Sequence, residues 1–78
     1  MPTLLRIGPY RFYFYSHEPN EPPHVHVDRD DCSAKFWLRD TALAQNIGFS
    51  AKELRVIQGH VRDHGDAFGE AWNDFFGS

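Results

Sequence analysis

A chain of 78 residues with a formal charge of −3 and one cysteine excludes an internal disulfide, a two-cysteine metal knuckle and a protein that coats nucleic acid through bulk positive charge. Hydrophobic residues make up 41%, with seven Phe, three Tyr and two Trp, which is too apolar for a disordered chain. A chain this short buries only about 60% of its unfolded surface, so a single domain over 1–78 with one modest core is expected, helped by a partner or a second copy.

"MPTLLRIG" lacks the apolar core of a signal peptide, and no apolar run approaches the ~20 residues of a membrane span, so a cytoplasmic protein without membrane contact is expected. "LLRIGPYRFYFYS" then reads as a hairpin of two strands turning at Gly8-Pro9. "SHEPNEPP" (16–23), with three prolines, is a loop. "HVHVD" and "SAKFWL" form a second hairpin around the acidic turn "RDDC". "DTALAQNIG" reads equally as a short strand or an irregular crossing.

Ser50 followed by Glu53 forms a capping box, and Phe49 and Leu54 take the positions of a hydrophobic staple, so a helix starts at Ala51. Substituting Ser50 is expected to cost more than substituting Glu53. Leu54, Ile57, Val61, Phe68, Trp72 and Phe75 make one apolar stripe up to Phe76, with "HGD" (64–66) the place for a kink or break near Gly65. The predicted fold is α+β: a small antiparallel sheet of three to four strands within 3–47, two hairpins, packed on a C-terminal helical region over 51–76. The stripe exceeds what one small sheet face can cover, so Leu54, Val61, Phe68, Trp72 and Phe75 are expected to meet another chain, as a homodimer or a heteromeric complex.

Side chains alternate across a strand. Leu5, Ile7, Phe12, Phe14, Val25, Val27, Ala34, Phe36 and Leu38 choose the core face. The opposite face then carries Arg6, Arg11, Tyr13, Tyr15, His24, His26, Asp28, Lys35, Trp37 and Arg39. If Asp28 lies opposite Ser33, His26 faces Lys35 and His24 faces Trp37, and a neighbouring Lys⁺ favours neutral imidazole at His26. A two-residue turn at Gly8-Pro9 places Arg6 beside Arg11, a like-charge pair that makes sense with an anion between them. Arg6, Arg11 and Lys35 can hold phosphate, Tyr13, Tyr15 and Trp37 can stack bases, and His24 and His26 can supply the acid and base of metal-free RNA cleavage.

Three other readings stand beside this one. The outer face can be an ordinary solvated sheet surface. H-x-H on one strand face can chelate a divalent transition metal, with Asp28, His17, Glu18 or Glu21 adding ligands. Cys32 as a nucleophile is disfavoured, because an acidic turn raises a thiol pKa. His17, His60 and His64 share no spacing with the pair and read as surface residues. Because both histidines of "HVH" are expected to point outward, their double substitution by alanine is expected to leave the fold nearly unchanged.

"RIGPYRFYFYSHE", "EPPHVHV", "AKFWL", "GFSAKELRVI" and "AWNDFF" together resemble, in this order and over nearly the whole chain, the small bacterial family known as domain of unknown function 4160. Members are commonly encoded beside a second small protein, an arrangement that resembles a toxin-antitoxin pair. The resemblance implies a small cytosolic bacterial protein with a cognate protein partner, and it carries no catalytic residue. The expected function is the toxin of such a pair, acting on RNA through the outer face without a cofactor. The alternative is a non-enzymatic module, either the partner-binding, antitoxin-like half or a metal-binding accessory protein.

Overall fold

The computed structural model describes residues 3–15 and 20–77. Five strands, β1 (Thr3–Ile7), β2 (Tyr10–Tyr13), β3 (His24–Arg29), β4 (Cys32–Trp37) and β5 (Leu43–Ile47), precede two helices, α1 (Ala51–Asp63) and α2 (Gly65–Phe76). The strands form an antiparallel meander in chain order. The class is α+β as expected, with one strand more than the predicted three to four.

β1 and β2 turn at Gly8-Pro9, where Gly8 takes φ 55° and Ile7 pairs with Tyr10. Arg6 therefore lies opposite Arg11. In the second hairpin His24 pairs with Trp37, Val25 with Phe36, His26 with Lys35 and Asp28 with Ser33. Its turn is made by Asp30 and Asp31, with Asp30 at φ 53°, a left-handed conformation that Asp tolerates. The additional strand, β5, runs along β4 and is exposed at all five residues. It adds backbone pairing at the sheet edge and almost no burial.

Ser50 caps α1 by accepting a hydrogen bond from the Glu53 N–H at 3.1 Å. The other half of the capping box is not made, because the Glu53 carboxylate accepts from Arg29 and Tyr10. Phe49 is buried and Leu54 packs against the same core. The helical region breaks at His64, as the glycine within "HGD" implies.

Both helices contribute to the core with one sheet face. Phe12 meets Phe68 at 5.6 Å and Phe14 meets Trp72 at 5.1 Å between ring centroids. Phe12, Phe14, Val25, Val27, Ala34 and Phe36 are buried, while Leu5, Ile7 and Leu38 pack at the margin. This corrects the expectation for the helical stripe. Val61, Phe68 and Trp72 are enclosed by the chain's own sheet, Leu54 is partly buried, and of the five only Phe75, at 45%, is exposed. The break at His64 explains the difference, since two short helices follow a twisted sheet more closely than one straight stripe does. No helix among the described residues is long and apolar enough to cross a membrane.

Candidate nucleic-acid interface

Directly paired residues in an antiparallel sheet share a face, so the register places rows of side chains on the surface opposite the helices. One row runs Arg6, Arg11, Asp28, Ser33, Ile47 from β1 to β5. The next runs Thr3, Tyr13, His26, Lys35, Gln45. Beyond it His24 pairs with Trp37. With strands about 4.8 Å apart, the rows extend roughly 19 Å from the basic edge to β5.

Arg6 is exposed, and Arg11 is half-buried. The Arg11 Nε–H donates to the Thr3 hydroxyl at 2.8 Å, and its guanidinium lies 4.6 Å from the centre of the Tyr13 ring. Tyr15 and His26 are half-buried, with ring centroids 4.4 Å apart. Trp37 is half-buried beneath the Lys35 ammonium, which sits 4.8 Å from its ring centre. Lys35 also forms an ion pair with Glu21.

Two of the predicted site residues are less accessible than alternation suggested. Tyr13 is 2% exposed, stacked on His26 at 5.4 Å, and its hydroxyl donates to Asp28 at 2.9 Å. Burial first, then hydrogen bonds with Tyr15 and Asp28, push its phenol pKa up. It supports the face rather than offering a free stacking surface.

His24 is the larger correction. Its side chain is 0% exposed, although it was expected to point into solvent beside His26. Ring contacts reach it from both sides of the sheet: His26 at 5.0 Å and Trp37 at 5.8 Å within the rows, and Trp72 of α2 at 5.0 Å. The Nδ1–H donates to the Pro22 carbonyl at 2.9 Å, which fixes the proton on that nitrogen and the approach of the 20–23 segment. Alternation sets the direction of a side chain but says nothing of what closes over the end of a strand. His24 thus serves as a packed core residue, and of the two histidines His26 is the one that a ligand can reach.

The alternative metal set does not come together either. Asp28 is engaged by Tyr13, and among the described residues no group of three or more His, Cys, Asp or Glu side chains could hold a metal ion. His17 and Glu18, named above as further ligands, lie outside the described residues. Nor do the described residues enclose a cavity for a small molecule.

Sequence reasoning passed over a polar group, centred on Glu53, that ties three elements together among the described residues. Arg29 binds both oxygens of Glu53, at 2.5 and 2.9 Å, and lies 5.6 Å from the Phe49 ring centre. The Tyr10 hydroxyl donates to the same carboxylate at 2.9 Å. The Arg29 hydrogen bond holds the Glu53 carboxyl below its ordinary pKa, burial pushes Tyr10 up, and the Arg29 guanidinium is raised by its bond to Glu53. A signal was present: Arg29 continues the alternation of Val25 and Val27, so its charge falls on the helix side and requires a carboxylate there.

The fold and register define an α+β domain with helices on one sheet face and an aromatic, basic row system on the other. The chain matches the family described as "Domain of unknown function (DUF4160)" over residues 10–73, and it belongs to that family. Among curated proteins and solved structures, nothing matches it.

Proposed function

We propose that the chain is the RNA-acting, toxin-like component of a two-protein cytoplasmic module, and that it holds a single RNA strand on the open face of its sheet. The observation that carries this reading is the make-up of the open face, where Arg6, Arg11 and Lys35 stand with Tyr15, His26 and Trp37 beside the acids Asp28 and Glu21. Basic groups set among aromatic rings on one surface suit a phosphate backbone with unstacked bases.

Arg6 and Arg11 take phosphate, Tyr15 and Trp37 stack bases, and His26 is the proton-transferring group. The burial of His24 removes the second member of the expected acid-base pair, so binding is better supported than cleavage. The protein-partner half of the proposal rests on the family resemblance. A second reading, a non-enzymatic partner-binding module, is favoured by the exposure of Leu43 and Ile47 on the edge strand β5.

The two readings separate in one experiment, induced expression of this chain alone, of the small protein encoded beside it, and of both, with growth and RNA integrity followed. Toxicity of this chain, relieved by the neighbour, is expected. Toxicity of the neighbour alone, relieved by this chain, would reverse the assignment.

A further inference from the structure

Lys35 stands in the central row of the open face, between His26 and Gln45. Its ammonium is held by the Glu21 carboxylate and lies over the Trp37 ring. The two partners differ in accessibility, with the Lys35 side chain 14% exposed and that of Glu21 41%. An approaching molecule therefore meets the carboxylate before the cation. Resting on the reading of this face as an RNA surface, we propose that Glu21 is an anionic latch: it occupies on Lys35 the place of an RNA phosphate and is displaced when RNA binds.

The segment that carries Glu21 has the construction such a latch requires. The Pro22 carbonyl accepts from His24 Nδ1 at 2.9 Å, and the Pro23 carbonyl accepts from the Leu38 N–H at 3.0 Å. These bonds, with the fixed φ of the two prolines, anchor the chain to the sheet independently of the ion pair. The carboxylate can leave Lys35 without loosening the entry to β3. Carboxylate and phosphodiester are both oxyanions, and the carboxylate, at 41% exposure, is the member of the pair that solvent and an incoming anion reach. Arg6 and Arg11, one row away, supply the second point of attachment that lets a polyanion outcompete a single tethered carboxylate.

Exchange also changes Trp37. While Lys35 is latched, its ammonium covers the indole ring. A phosphate that draws Lys35 aside uncovers that ring for a base, so phosphate binding and stacking are coupled through one side chain. The latch would disfavour isolated anions and favour a strand that brings a phosphate and a base together.

The test is the affinity of a fluorescein-labelled single-stranded oligouridylate, measured by anisotropy at one ionic strength, for the unaltered protein, Glu21→Gln, Lys35→Gln and the double variant. Glu21→Gln is expected to tighten binding about two- to fivefold, the scale of a modest ion pair, and the gain should vanish when Lys35→Gln is also present. An equal gain in both backgrounds would mean that removing any nearby negative charge suffices, and the latch would be rejected. Unchanged affinity in Glu21→Gln, with the unaltered protein binding normally, rejects the latch and leaves the RNA reading in place. Failure of both the unaltered protein and Glu21→Gln to bind removes both. Melting curves accompany each variant, and a Glu21→Gln protein that does not fold would make the ion pair structural and likewise overturn the proposal.

Discussion

Glu53 binds Arg29 through both carboxylate oxygens, at 2.5 Å to Nε and 2.9 Å to Nη2, across 24 residues of sequence. The same carboxylate accepts from Tyr10 at 2.9 Å, so it ties β2, β3 and the first turn of α1 together instead of completing its own helix cap. Ser50→Ala removes one capping bond and should cost about 1 kcal/mol. Glu53→Ala should shift a urea midpoint further, because it removes the two-point partner of Arg29 and the acceptor of Tyr10, leaving Arg29 only its single contact to the exposed Asp30 as a carboxylate bond. This order reverses the one expected from the capping box, and equal or smaller loss at Glu53 would restore it.

The same contact predicts how stability depends on pH. The folded Glu53 pKa lies below its ordinary value of 4.5, so its contribution is present above that value and is lost as pH falls through the folded pKa. Tyr10 and Tyr13 are raised above 10.0, so their contributions are complete below that value and are lost as pH rises towards the folded pKa. Melting temperatures between about pH 3 and 5, around the ordinary carboxylate range, should fall less steeply with falling pH for Glu53→Gln than for the unaltered protein. Tyr13→Phe should flatten the alkaline side. Parallel acid limbs for Glu53→Gln and the unaltered protein would contradict the assignment.

The two histidines of "HVH" should differ in a way that the sequence pattern does not suggest. His24→Ala empties a fully buried position and breaks the bond to Pro22, with an expected cost of about 2–4 kcal/mol. His26→Ala acts on a half-buried ring and should cost about 1 kcal/mol or less. Denaturant unfolding of the two single variants is the measurement. Similar small losses would return both imidazoles to the surface.

The register of both hairpins could be read from the sequence because period-two alternation and short turns decide it locally: Arg6 beside Arg11, and His24 beside Trp37, follow from Gly8-Pro9 and from the Val25 and Phe36 pattern. The start of α1 and the break at His64 were legible for the same reason. What could not be read depends on contacts between distant segments. His24 is closed in by Trp72, 48 residues later, and Glu53 is drawn away from its cap by Arg29. β5 offered no periodic signal, since every residue of "LAQNI" is exposed and backbone pairing alone makes it a strand.

Association and stability can now be separated along the helical stripe. Trp72 is 4% exposed and packs on Phe14, His24 and Phe76, so Trp72→Glu should unfold the chain and report nothing about oligomers. Phe75→Glu alters an exposed position and should leave the melting temperature nearly unchanged. Light scattering of the Phe75→Glu protein is therefore the informative measurement. Loss of a dimer without loss of stability would assign Phe75 to an interface between chains, and an unchanged mass would remove it from one.

Gly48 joins β5 to the start of α1, and two separate effects forbid a side chain there. Its φ of 94° lies where L residues are strained, and a Cβ would stand 2.9 Å from the Cys32 Sγ. Gly48→Ala should therefore cost more than the roughly 1–2 kcal/mol of left-handed backbone strain alone. Truncating the neighbour separates the two: in a Cys32→Ala background the sulfur is gone, and the closest remaining Cys32 side-chain atom, Cβ, would be 3.5 Å away, an ordinary contact. The cost of Gly48→Ala in that background should fall to the backbone part. A double-mutant cycle in urea reads the difference directly. If Gly48→Ala costs the same with and without the Cys32 sulfur, the steric part is absent and the glycine is required for its backbone conformation alone.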